Sequence, residues 1–265
     1  MNRESSTQVI RVTTDLGDGY LKAMGNPEGE HALACEWVGT QVARWFGLPT
    51  FQFGLIDVTR VDDLHFKRGG KPKRGPAFIT RAEEGEPWGG SRRELRRLIN
   101  LNDITRLVVF DTWTLNEDRY FMRPNGKLRR KFDNVFLSEE APKGKLLLRV
   151  FDHTHCFTNG RDLVPKTLGI DRIQADGIYG CFRAFRPLLN REIGKRCVRE
   201  LRRMKPDIAE EFVQTIPQEW DVDLRGRRAL ENFIVQRAAY LAPRIMTMLW
   251  PQGDLFESEE PESSS

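Results

Sequence analysis

Apolar and polar residues alternate over "TQVIRVTTDLGDGYLKAMG", and the glycines at 17 and 19 interrupt the alternation. That pattern predicts two strands around a turn containing Gly17 and Gly19. The period then lengthens. In "EGEHALACEWVGTQVARWFGLP" the residues Leu33, Trp37, Val42 and Phe46 share one face of a helix, which Gly47 and Pro49 stop. "FQFGLIDVTRV" and "PAFITRA" read as strands on either side of a basic, Gly/Pro-rich loop, "KRGGKPKRG". "EEGEPWGGS" reads as a flexible link, so Arg81 to Gly90 is the expected hinge.

From Arg92 the texture is helical. "SRRELRRLIN" and "NDITRLVVFDTWTLN" predict two helices, with Asn102 or Asp103 as cap of the second. "MRPNGKLRRKF" carries Asn125-Gly126, a good hairpin turn, and "NVFL" and "KLLLRVF" read as strands. From Asp171 to Trp250 the chain reads as helix broken at Pro187, Pro206, Pro217 and Pro243. The tail "PQGDLFESEEPESSS" is acidic and polar, with the composition of disorder. The layout is α+β: a β-rich N-terminal third with one helix, then a helical remainder with a small β insert.

Composition narrows this little. With 39% hydrophobic residues in 265, the chain can bury a real core, as one large domain or two small lobes. No apolar run approaches a membrane span, and "MNRESSTQVIRV" lacks a signal-peptide apolar region, so a cytoplasmic location is expected. Cys35, Cys156, Cys181 and Cys197 form no C-x-x-C pair, and the four His are too scattered for a zinc pattern, which leaves free thiols. The net charge of +4 is compatible with phosphates or nucleic acid without requiring either, and no sequence-specific DNA motif is visible.

Charge placement is more informative. "LNEDRYF" follows the apolar run "LVVFDTW", and "LLLRVFDHTHCF" carries a carboxylate straight after a buried strand. In chain order the polar candidates are Lys22 at a strand end, Glu36 inside a helix, Asp118 in a loop, and Asn134 and Asp152 flanking two strands. Each has an ordinary explanation. Lys22 could be a solvated lysine, Glu36 an exposed helical glutamate, Asp118 with Arg119 a helix-end ion pair, and Asn134 a turn residue. Asp152 fits such a role least, because a carboxylate between "LLLRVF" and "THCF" needs a partner. His153 and His155 read as packing or loop-facing residues rather than a metal pair. The basic runs at Lys67 to Gly75 and Lys127 to Lys131 read as solvated loops. Taken together and in this order, the five polar groups match what phosphoryl transfer needs. It requires a lysine on the phosphates held by a helix carboxylate, a carboxylate for the attacking hydroxyl, and hard oxygens for magnesium.

"YLKA", "CEWVGTQVARWFGLP", "LNEDR", "DNVFL" and "FDHTHCF" together resemble the HipA-like kinases, within the wider protein-kinase and phosphoinositide-kinase superfamily, over roughly residues 8–249. The resemblance implies a two-lobed protein-kinase-like fold. A small β-rich N-lobe with one helix would occupy 1–85, a larger helical C-lobe 86–250, and a disordered tail 251–265. It implies ATP and Mg²⁺ as cofactors. Lys22 would meet the α- and β-phosphates and Glu36 would hold Lys22. Asp118 would be the catalytic base, Asn134 and Asp152 the Mg²⁺ ligands, and Gly17 and Gly19 part of the phosphate-covering turn. Phe78, Ile79 and Thr80 would form the hinge strand against adenine, Asn116 would brace the catalytic loop, and Arg119 would contact phosphate.

Some features depart from the common kinase pattern. Asn134 lies sixteen residues after Asp118 rather than five, with an inserted hairpin between them, so Asn125 competes for the ligand role. The glycine turn is a single G-x-G, and Asp152 is followed by His-Thr. By resemblance the expected reaction is phosphorylation of Ser or Thr on a protein. A bacterial origin, a role in growth control and an antitoxin-like partner are implied with it. Phosphorylation of a lipid or small molecule, a nucleotide-binding pseudokinase and a nucleotidyl transferase are the alternatives. Thr13, Thr14 and the "ESSS" tail are candidate sites of self-modification.

Overall fold

The computed structural model describes residues 8–67, 70–122, 126 and 128–251. Strands β1 (Ile10–Thr14) and β2 (Gly17–Lys22) form a hairpin. Its turn is Asp15-Leu16, so Gly17 and Gly19 belong to β2 rather than to the turn. Gly19 is needed for close packing, because a Cβ there would sit 2.9 Å from the Thr80 carbonyl oxygen. With β3 (Phe53–Val58) and β4 (Gly75–Arg81) the hairpin makes an antiparallel sheet of order β1-β2-β4-β3. Strand alternation gives this sheet two faces. Leu21, Ala77, Val58 and Phe66 form a small core on one. On β2 and β4, Lys22 lies opposite Phe78 and Tyr20 opposite Thr80.

Helix α1 (Glu30–Trp45) buries Leu33, Val38 and Val42, and Gly47 at φ 82 ends it as expected. These residues share one large core with α3 (Asp103–Thr114), α5 (Arg191–Arg203) and α7 (Leu224–Leu241). Two indoles lock the sheet and α1 to the helical part. Trp37 Nε1 donates to Thr215 Oγ1 at 2.8 Å, and Trp220 Nε1 donates to the Pro76 carbonyl at 3.0 Å. The remaining helices are short: α2 (Arg92–Leu95), α4 (Ile170–Ile173), α6 (Pro206–Gln214) and α8 (Ile245–Leu249).

Several expectations change. "EEGEPWGGS" is not a loose link. It holds β5 (Gly85–Pro87), which pairs with β8 (Val135–Ser138), itself paired with β9 (Leu147–Val150). The chain crosses between the two sheets at Ala82 to Glu84. Trp88 is buried, stacked 5.0 Å from Phe185 and edge-on to Phe132 and Phe182. "SRRELRRLIN" makes only α2, with Ser91 and Glu94 forming a reciprocal capping box. Asn102 holds the N-cap position of α3, as one of the two expected residues, but its side chain makes no cap bond, and Asp103 accepts from Asn100 and Arg106. After α4 the chain is mostly irregular up to α5. The inserted hairpin is β6 (Tyr120–Met122) with β7 (Leu128–Arg130), and Gly126 has the positive φ its turn demands. Asn125, Lys127, Arg68, Gly69 and the acidic tail beyond Pro251 lie outside the described residues.

Candidate active site

Strand β2 carries Lys22 into the interior, where it is only 7% exposed. Its ammonium donates to Glu36 Oε2 at 2.7 Å and to Asp152 Oδ1 at 2.9 Å, joining residues 14 and 130 positions away. Glu36 projects from the middle of α1 and also accepts the His153 N–H at 2.9 Å. Three residues along the helix, Gly39 lets this segment approach, since a Cβ there would lie 2.7 Å from His153 Cβ. Asp152 follows β9 in a left-handed conformation (φ 59), which costs a non-glycine residue about 1–3 kcal/mol. Burial opposes charge on Lys22, but Asp152 and Glu36 outweigh it and raise the lysine pKa. Burial likewise opposes charge on Asp152, yet Lys22 brings it well below the usual carboxylate range. Glu36 is raised, because burial and Asp152 exceed what Lys22 returns. The cluster therefore holds a protonated lysine against an ionised Asp152.

The second cluster starts where α3 ends. Leu115 adopts φ 53 and turns the chain, and Asn116 braces the loop from both sides. Its Nδ2 donates to Asp111 Oδ1 at 3.2 Å and its Oδ1 accepts the Asp118 N–H at 3.2 Å. Asp118 is 1% exposed. Its Oδ2 accepts from Lys131 Nζ at 2.7 Å and from Asn134 Nδ2 at 2.9 Å, while Arg129 holds Oδ1. His155 Nδ1 lies 3.8 Å from Oδ2. Burial would raise Asp118, but His155 and Lys131 leave its pKa below the ordinary value.

Between the Lys22 cluster and the crossing segment lies a cavity of about 450 Å³. Lys22, Glu36 and Asp152 give it a charged end, and Phe51, Phe78, Phe136 and Phe151 give it apolar walls. Thr80 lines it as well. Ile79 turns to the opposite face and packs on the small core. Strand β4 is paired on both sides, so Phe78 to Thr80 present side chains and not an open main-chain edge. The main chain that leaves the sheet is the crossing segment after it. There Glu83, a cavity residue that the sequence reading missed, accepts from Ser138 Oγ at 2.7 Å and Arg149 Nε at 2.8 Å. Gly17, Gly19, Asn116, Asp118 and Asn134 do not line the cavity.

Arg119 does not face a phosphate site. It is fully buried, with Nε on Asp111 Oδ2 at 2.8 Å and its guanidinium on the Asn134 and Phe151 carbonyls. It ties the Asp118 loop to both later strands and so positions Asn134 and Asp152. Asp111 was missed too, although a lone carboxylate inside "LVVFDTW" is a legible signal for a buried partner. Arg129 and Lys131 read as solvated charge in the sequence, but the hairpin folds them onto Asp118. His153 is buried with its ring 5.3 Å from Phe110, as the packing reading expected.

The oxygen donors suit magnesium, which takes few protein ligands. The hydrogen bonds of the Asp152 carboxylate go to Oδ1, from Lys22 and Thr154, and Asn134 bonds through Nδ2. Among the described residues, one carboxylate oxygen and one amide oxygen are thereby left for a metal. No protein of curated function matches the chain. A family model described as HipA-like kinase matches residues 15–247, which takes in both clusters and all of the described cavity lining except Val9. The chain belongs to the HipA-like kinase family.

Proposed function

We propose that this protein is an ATP- and Mg²⁺-dependent kinase that phosphorylates a Ser or Thr hydroxyl of a protein. The observation that carries the reading is the buried Lys22, shared by Glu36 and Asp152 at the charged end of an apolar-walled cavity. In this reading the first sheet and α1 form a small lobe over residues 1–85, and residues 86–250 form the larger one. Adenine lies among the phenylalanines and the Asp15-Leu16 turn, flanked by Gly17, covers the phosphates. Lys22 exchanges Asp152 for the α- and β-phosphates while Glu36 keeps it aimed. Asp152 and Asn134 hold magnesium, which when bound neutralises charge on the phosphates. Asp118, ionised at neutral pH, orients the acceptor hydroxyl and takes its proton. The hydroxyl oxygen bonds to the γ-phosphorus as the bond to the ADP oxygen breaks. A cytoplasmic location, bacterial growth control and an antitoxin-like regulator follow by analogy with the family.

The test compares wild type and Asp152→Ala with γ-labelled ATP, Mg²⁺ and a cell lysate, read by gel and intact mass. Label that disappears in the variant supports the reading. ATP bound without transfer supports a second one, a nucleotide-binding module without turnover. That alternative draws on Arg129, Lys131 and Asn134 already occupying the Asp118 carboxylate.

A further inference from the structure

We propose that a groove lined by Arg92, Arg130, Arg183 and Arg186 binds an acidic stretch of the polypeptide that carries the target hydroxyl. The inference deepens the kinase reading and rests on it for the role of Asp118. Two adjoining cavities of about 660 and 320 Å³ share Arg92, Tyr120, Leu128 and Arg183. Arg186 belongs to the first and Arg130 to the second. The four arginines come from separate places: the start of α2, the end of β7, and two positions in the irregular chain before α5. All four are exposed. No Asp or Glu lines either cavity, and among the described residues none of the four pairs with a carboxylate. Arg119, Arg149, Arg106 and Arg11 are all so paired.

A single exposed arginine is ordinarily just solvated. Here the floor is rigid and the neighbourhood is specific. Tyr120 packs 5.1 Å from Phe182, Phe132 packs 5.2 Å from Phe182, and Trp88 braces both phenylalanines. Arg130 lies 5.3 Å over the Phe132 ring, which fixes the direction of its guanidinium. Strand alternation links the groove to the reaction centre. Along "LRRK", Arg129 and Lys131 reach Asp118, while Leu128 and Arg130 line the groove. The strand and the residue after it thus present Arg129 and Lys131 to Asp118 from one face and Arg130 to the groove from the other. At about 3.3 Å per extended residue, a few residues of peptide suffice to pass from one face of the strand to the other. Acidic side chains two to four residues from the acceptor would meet these arginines. Single-stranded RNA fits less well, because it needs open aromatic faces. Phe132 is covered by Arg130, and Phe182 and Trp88 are buried.

The test is direct binding, read by fluorescence anisotropy at low salt. The probe is a labelled twelve-residue peptide with one Ser among Glu and Asp. A Lys/Arg-rich counterpart and oligo-uridylate serve as rivals. Wild type should bind the acidic peptide, and added salt should weaken the complex. Arg183→Glu/Arg186→Glu should bind it roughly tenfold more weakly, and Arg183→Gln/Arg186→Gln less severely, with ATP binding unchanged in both. Equal binding by wild type and both doubles would overturn the proposal, as would preference for the basic peptide or displacement by the RNA. The two readings fail separately. Acidic peptide that binds at the groove but never accepts phosphate would count against the kinase reading alone. Phosphorylation indifferent to flanking charge would count against the groove alone.

Discussion

Asp111 and Asp118 lie seven residues apart, both are buried, and each is held by an arginine, yet they sit in opposite situations. Asp111 is sealed. Its partners are Arg119 and Asn116, both without exposure, and burial pushes its carboxyl up to about 6 despite Arg119. Asp118, itself 1% exposed, is held from a partly exposed rim. Arg129 and Lys131 come from a hairpin and keep 34% and 22% of their side chains exposed, and the Asp118 pKa falls instead of rising. The first ion pair has no water to return to, so it works as a structural joint. The second can exchange partners, which a reacting group requires.

The largest expected effect breaks this comparison at its open end. Asp118→Asn keeps the shape but turns one of two acceptor oxygens into a donor and cannot take a proton. We expect phosphoryl transfer to drop by about 10²–10⁴-fold with only a modest fall in melting temperature, because the partly exposed Arg129 and Lys131 can turn to water. A single-turnover assay beside a thermal melt reads both. Transfer within a few-fold of wild type would remove Asp118 from its proposed role.

Asp111→Asn should invert that outcome. It leaves Arg119 charged, buried and short of its partner, at a cost of about 3–5 kcal/mol. Urea unfolding should show the loss, and activity per folded molecule should stay near wild type once the folded fraction is corrected for. A variant as stable as wild type would mean that the Asn134 and Phe151 carbonyls suffice for Arg119.

A smaller effect separates the Lys22 cluster from both. Asp152→Asn removes one of the two carboxylates on Lys22, and Glu36 remains. We expect a loss of about 1.5–3 kcal/mol at pH 7. The sign with pH follows from the lowered Asp152 pKa. On acidification the unfolded chain takes up this proton first, near the ordinary value of about 3.9. The stability that Asp152 contributes is therefore present above that pH and is lost as pH falls toward its folded value. The gap between variant and wild type should narrow below about pH 4. A gap that widens on acidification would contradict the assigned charge state.

The same contrast explains what could be read from the sequence. Lys22, Glu36, Asp118, Asn134 and Asp152 were legible because each polar group interrupts or ends an apolar run, and the structure gathers them into two adjoining clusters. The alternating strands and α1 were legible from period alone. Arg119 was misread because "DR" places two charges side by side and nothing local says which one turns inward. Arg129 and Lys131 were misread because a hairpin decides their direction, and its register depends on pairing Tyr120 with Arg130. β5 was hidden because three residues that begin with Gly85 and end with Pro87 carry no period, although Trp88 beside them marked a buried segment. The main-chain pairing of Phe78 to Thr80 depended on strand order, which only the assembled sheet determines.

The cysteines offer the mildest test of the sealed and open regions, because they report without being changed. All four are buried and free, and burial raises each thiol, with Cys35 and Cys197 pushed up to about 12. At pH 8 they stay protonated, so alkylation of the native protein should run at least about 100-fold slower than in urea. Position then distinguishes them. Cys156 lies beside the sealed joint, where Asp111 and Arg119 are among the charges acting on its thiol, whereas Cys35 sits next to Glu36 at the cavity. Mass mapping of labelled peptides should show Cys156 reacting faster in Asp111→Asn and unchanged in Asp118→Asn. Equal acceleration in both variants would mean that the two carboxylates share one cooperative unit and that the rim is as structural as the joint.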